Sequence, residues 1–183
     1  VSSSTDVVLL ELNRVFATSS LEGRQQLIEA IIESDRIVAL GAGRVGLAMA
    51  AFAKRLSHLG KTAYWHGDAT LPRLGVGDLM LVGSGSGETE SIVCLADLAR
   101  RQGLGIALIT SNPQSTLLRM SQASVILNCP NKLTSDVGGG SVQPMTTLFE
   151  QSCSIFLDSL VLDLMLLMNV SEAAMQERHN AIE

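Results

Sequence analysis

Aromatic residues make up only 3% of this 183-residue chain, so any core it builds rests on Leu, Val, Ile, Ala and Met rather than on large rings. Cysteine is scarce too. Cys94, Cys129 and Cys153 are odd in number and lack CxxC spacing, which removes a disulfide framework and points to buried thiols in a reducing compartment. Histidine occurs only at 58, 66 and 179, and without an HExxH or a Cys/His cluster no metal site is expected. Basic runs are absent and the formal net charge is −5, so neither a nucleic-acid binder nor a polybasic membrane anchor is indicated. The opening VSSSTDVVLLELNR has no basic n-region or long apolar run, and no signal peptide is expected. SIFLDSLVLDLMLLM (154–168) is interrupted by Asp158 and Asp163, each costly at a bilayer centre. A buried helix explains it better, and the expectation is a soluble, cytoplasmic protein.

What is present is alternation. With 46% hydrophobic residues the chain can form one well-packed domain over 1–183. Helical spacing covers 6–17 and 21–33, the latter with Ser19 and Glu22 placed as a capping box. RIVALG (36–41) reads as a buried strand, followed by a helix at 44–58 that stops at Gly60. Strands are expected at 62–66, 78–83, 105–110 and 124–129, with a helix at 88–102 and another starting near Pro113. After a loop at 130–145, a long apolar helix fills about 144–168. A last short helix, capped by Ser171, carries the chain to Glu183. Five apolar strands alternating with helices imply a three-layer α/β sandwich. Its five-stranded parallel sheet is covered on both faces and framed by extra N- and C-terminal helices. In the flavodoxin-like order 2-1-3-4-5, ligands bind beyond the strand ends where the order reverses, between the first and third strands. Those strands end in GAGRVG (41–46) and GSGSGET (83–89), so both glycine-rich turns converge on one crevice.

GAGRVG is a literal GxGxxG after a strand, and Asp68 lies at the distance expected of a ribose contact. Two helices precede that strand, however, and Asp68 follows the second strand by way of a glycine. A helix packed close to its strand through Gly41, Gly43 and Gly46 accounts for the same pattern. GSGSGET offers more: inward-facing N–H groups, the hydroxyls of Ser84, Ser86 and Thr89, and the positive end of a helix beginning near Glu88. A compact phosphate fits that set, and the lack of GK[ST] argues against a P-loop NTPase.

These turns, together with TSNPQS after the next strand, resemble the sugar isomerase (SIS) domain. Within it, GAGRVGLAMAAFAKRLSHLG (41–60), VGSGSGETES (82–91), SVQPMTTLFEQ (141–151) and the tail ERHNAIE (177–183) are similar to the 6-phospho-3-hexuloisomerases. The resemblance implies a cofactor-free isomerase that interconverts D-arabino-hex-3-ulose 6-phosphate and D-fructose 6-phosphate, as a homotetramer. It implies a phosphate held at Ser84, Gly85, Ser86, Gly87, Glu88, Thr89 and Glu90. Gly43, Arg44 and Val45 would stand at the mouth of the same crevice. Glu150 matches the family's catalytic base, and His179 a histidine that reaches a neighbouring subunit's site. One positioned, partly desolvated carboxylate can make both proton transfers that move a carbonyl between C3 and C2, and Glu150 sits between Phe149 and an apolar helix. Two positions depart from the family pattern: Val45, where serine is common, and Glu90, where lysine is common. Both should weaken phosphate binding, which leaves open an isomerase for another ketose or aldose phosphate. A non-catalytic phosphosugar sensor is the rival reading.

Overall fold

Residues 37–40 are buried in succession, as a strand covered on both faces requires, and they form β1 (Arg36–Gly41) near the middle of the sheet. The computed structural model describes residues 3–130 and 140–182. The expected 130–145 loop therefore lies mostly outside the described residues, as does Glu183. Around β1 stand β2 (Thr62–Trp65), β3 (Leu79–Gly83), β4 (Gly105–Thr110) and β5 (Ala123–Ile126), all parallel in the order β2-β1-β3-β4-β5. Gly41 of β1 pairs with Gly83 of β3. The two glycine-rich turns thus leave the sheet side by side, at its carboxyl edge.

The helices are α1 (Ser4–Thr18), α2 (Arg24–Glu33), α3 (Gly43–His58), α4 (Glu90–Arg101), α5 (Thr116–Met120), α6 (Thr147–Leu167) and α7 (Glu172–Glu177). Alternate strand residues face opposite layers. Ile37 and Ala39 join the core that Leu27, Met49, Phe52, Phe156 and Leu160 build with α2, α3 and α6. Val38, Leu40, Met80 and Val82 meet Ile92, Ala96 and Leu117 of α4 and α5 on the other face. The thiols of Cys129 and Cys153 lie in the larger core, where burial pushes them up to about 11 and about 12 and keeps them protonated.

Several sequence expectations need adjustment. Ser19 does not cap α2. Its hydroxyl turns back on α1 and donates to Val15 O at 2.7 Å, while accepting from Asn128 N at 2.8 Å. Gly23 stands at the N-cap of α2 instead, and the capping box belongs to Ser3 and Asp6 at the start of α1. The helix after Pro113 begins at Thr116, capped by Ser115. Ser171 caps α7 as expected, but that helix ends at Glu177. In α6, Asp163 pairs with Arg24 at the start of α2 and Asp158 is exposed. No helix among the described residues is long and apolar enough to cross a membrane.

At the amino edge of the sheet, opposite the glycine turns, Asp78 is only 3% exposed. The Arg36 guanidinium grips it with two bonds of 2.8 and 2.7 Å, and Gly75 N donates to it at 2.7 Å. This fork ties the start of β1 to the turn before β3.

Candidate active site

Three helices begin at one cleft of about 360 Å³, which is lined by residues 42–45, 83–86, 89, 145–147, 149 and 150. The N-cap residues of α3, α4 and α6 are Ala42, Thr89 and Thr146, and none of their side chains makes a capping hydrogen bond. Elsewhere the serines do cap: Ser3, Ser115 and Ser171 close α1, α5 and α7. The first-turn N–H groups of α3, α4 and α6 therefore have no side-chain cap where they face the cleft, and the positive ends of three macrodipoles add there. An anion is the complementary occupant.

The turn between β3 and α4 is fixed from within and from behind. Ser84 Oγ accepts from Gly87 N and Ser86 Oγ from Glu88 N, both at 3.2 Å. Behind the turn, Thr110 and Ser111 donate their hydroxyls to Gly85 O at 3.2 and 2.9 Å, and Asn112 Nδ2 donates to Ser86 O at 2.9 Å. These last three residues belong to TSNPQS; their role is to hold the turn rather than to reach the cleft.

Of the residues expected at the phosphate, Gly43, Arg44, Val45, Ser84, Gly85, Ser86 and Thr89 line the cleft. Gly87, Glu88 and Glu90 do not. Gly87 has a φ of 62°, and a Cβ there would collide with Ser115, so glycine is needed for the bend itself. Glu88 reaches away from the cleft to accept from Thr116 N at 2.6 Å, closing the first turn of α5. Glu90 is exposed in the first turn of α4 and faces a separate surface groove with Val93, Cys94 and Asp97. The charge at position 90 therefore lies outside the cleft lining and bears on an anion there only through space.

Glu150 lies in the first turn of α6 with its side chain 15% exposed. Thr146 Oγ1 donates to its Oε1 at 3.0 Å, and Arg44 Nε sits 3.2 Å from Oε2. The Arg44 side chain is 62% exposed, so this pair contributes little to stability and Arg44 can swing toward an anion. Phe149 lines the cleft beside Glu150, as read from the sequence, whereas the contributions of Met145, Thr146 and Thr147 were not. The one local signal was the i,i+4 spacing of Thr146 and Glu150 on a helix start.

Within GAGRVG, residues 42–45 line the cleft while Gly41 and Gly46 serve packing. A Cβ on Gly46 would lie 2.7 Å from Gly41 O, so α3 sits against the end of β1 only because both residues are glycine. Asp68 closes the turn after β2, accepting from Trp65 N at 3.0 Å. Neither feature presents a dinucleotide site. His179 is also away from the cleft within its own chain. Its ring lies 5.1 Å from that of His58, at the far end of the 16-residue α3, about 24 Å of helix away.

Comparison with known proteins places this geometry. The SIS domain model matches residues 30–158. The chain belongs to the SIS domain family. A Bacillus subtilis protein named 3-hexulose-6-phosphate isomerase is 36% identical over 178 residues, covering 96% of this chain and 95% of its own. A Mycobacterium gastri protein of the same name is 41% identical over 126 residues, 68% of this chain and 62% of its own. Among solved structures, a hypothetical protein from Methanococcus jannaschii aligns with a TM-score of 0.81 at 29% identity, over 98% of both chains. That structure was reported to infer a function of 3-hexulose-6-phosphate isomerase.

Proposed function

We propose that this protein is a sugar-phosphate isomerase that interconverts D-arabino-hex-3-ulose 6-phosphate and D-fructose 6-phosphate. One observation carries the reading: a partly buried carboxylate, Glu150, shares a cleft with three helix N-termini that have no side-chain caps and with a serine-glycine turn. The phosphate is bound by the turn at 84–86, Thr89 and the helix ends. In the forward direction Glu150 takes the proton from C2 of the 3-ketose, electrons shift to the C3 carbonyl, and a 2,3-enediol forms. Protonation at C3 and loss of the O2 proton then leave the carbonyl at C2. The net change moves hydrogen within one molecule, so no external oxidant or reductant is required. The named relatives support this reaction over that of another ketose phosphate. Val45, 8% exposed, packs at the strand–helix junction and supplies only an apolar wall there.

The test is fructose 6-phosphate incubated with the protein in D₂O and followed by NMR. Deuterium at C3 and appearance of the 3-ketose are expected, and their absence at enzyme concentrations that bind the sugar phosphate would overturn the reaction. Arg44→Gln is expected to raise KM about tenfold, the scale of one charge-assisted hydrogen bond to the phosphate, with part of the loss recovered by Arg44→Lys.

The same reading includes a cytoplasmic homotetramer in which His179 serves a neighbour's cleft. Supporting it, Ile155, Leu162 and Leu166 are exposed on α6 at spacings of seven and four, one continuous apolar stripe. Mixing inactive Glu150→Gln and His179→Ala subunits should restore activity. Two folded parents that never complement each other would show that His179 does not cross.

A further inference from the structure

The segment 140–146, which brings Met145 and Thr146 to the cleft and leads into α6 at Thr147, has no regular secondary structure. Met145 within it holds a φ of 58° and is 91% exposed. A residue with a Cβ keeps that left-handed conformation only when its surroundings impose it, and so exposed a side chain imposes nothing. Upstream of it, the segment is held by a carboxylate 130 positions before Ser141. Glu11, on α1, accepts three hydrogen bonds from this segment: Ser141 Oγ at 2.7 Å, Val142 N at 2.8 Å and Gln143 Nε2 at 2.8 Å. Ser141 Oγ also accepts from Gln143 N at 3.0 Å, which closes the group into one network. Beyond it, Thr147 Oγ1 donates to Pro144 O at 2.8 Å, and Thr146 Oγ1 donates to Glu150 Oε1 at 3.0 Å.

We propose that Glu11 is a positioning residue for this site, acting through residues 141–146 to fix one wall of the cleft and the orientation of the Glu150 carboxylate. The proposal rests on the isomerase reading of that cleft. Three donors converge on Glu11, and the Val142 N–H has no acceptor to offer in return, so an ionised carboxylate answers all three as they stand. Burial pushes the Glu11 carboxyl up, but the bonds from Ser141, Gln143 and Val142 outweigh it and hold the group below its ordinary value. Glutamine at position 11 would set an amide N–H against a donor and release part of the segment. The phosphate turn at 84–89 is braced independently, by Thr110, Ser111 and Asn112. A loosened segment should therefore misplace the base without releasing the phosphate, and small errors in placing a reacting group are expensive in rate.

The experiment compares wild type, Glu11→Gln and Gln143→Ala as full-length chains. Gln143→Ala removes a donor from the opposite side and stands in should the Glu11 variant fail to fold. For each, kcat and KM for fructose 6-phosphate are measured, with inorganic phosphate affinity and amide hydrogen exchange over 141–150. The expected result is kcat lower by about tenfold, KM and phosphate affinity within about twofold of wild type, and faster exchange confined to 141–150. A folded variant with unchanged kcat overturns the proposal, as does a loss of phosphate affinity in step with kcat, which would mark a general structural role. If wild type itself turns over no fructose 6-phosphate, the isomerase reading falls, and unchanged exchange over 141–150 in the variants then overturns the positioning role by itself.

Discussion

Glu150→Gln is expected to lower kcat for fructose 6-phosphate about a thousandfold, within the range that a positioned general base supplies. Glutamine nearly matches glutamate in shape, and its oxygen can still accept from Thr146 Oγ1 as Oε1 does at 3.0 Å. What it cannot do is take a proton from carbon. The amide also withdraws the partner that Arg44 Nε has at 3.2 Å, which leaves Arg44 free for the phosphate. Affinity for the sugar phosphate should therefore be unchanged or slightly tighter while turnover collapses. Calorimetry with fructose 6-phosphate, paired with deuterium exchange at C3, separates the two quantities. Exchange at the wild-type rate in the variant would remove Glu150 from the reaction.

The second large effect concerns stability. Asp78→Ala is expected to destabilise the protein by about 3 kcal/mol, because it strands the Arg36 guanidinium and the Gly75 N–H beside a buried space. The estimate sits at the low end for a broken ion pair because the Arg36 side chain remains 35% exposed. The pH dependence follows from the direction of the shift. Burial pushes the Asp78 carboxyl up, but Arg36 and the Gly75 N–H outweigh it and hold the group below its ordinary 3.8. A carboxyl depressed in the folded state contributes fully above its unfolded value and loses that contribution as pH falls through the folded value. Urea unfolding should thus show a constant gap between wild type and Asp78→Ala from pH 7 down to about 5, narrowing below about pH 4. A gap that persists at pH 3 would assign the loss to packing instead. The fork lies at the opposite edge of the sheet from the cleft, so KM measured where the variant is folded should not move.

The fold was largely legible because its strands are buried on both faces. Continuous apolar runs such as RIVALG and GIALIT admit few alternatives in length, and β1 and β4 have the bounds read from the sequence. Caps were less legible. Ser19 and Glu22 have capping-box spacing, yet Ser19 Oγ finds Val15 O and Asn128 N, one of which only the fold supplies. The cleft divides in the same way. Ser84, Ser86, Thr89, Arg44 and Glu150 sit in local motifs and come together there. The direction of the Glu88 side chain was not legible, because its partner, Thr116 N, belongs to another helix. Glu11 carried no signal at all, since an acid on an amphipathic helix looks like any solvated residue until residues 141–143 fold against it.

The three helices without side-chain caps at the cleft divide the site into parts that can change at different rates. In the proposed reading the anion's anchor is mostly main chain, and among single substitutions only proline deletes a backbone N–H. The rest of the cleft is lined by the side chains of Met145, Thr146 and Glu150, each open to replacement one codon at a time. If the cleft holds a phosphate as proposed, descendants of this fold can exchange one sugar for another while keeping that hold. A lineage that lost its base would still inherit a receptor for phosphorylated metabolites.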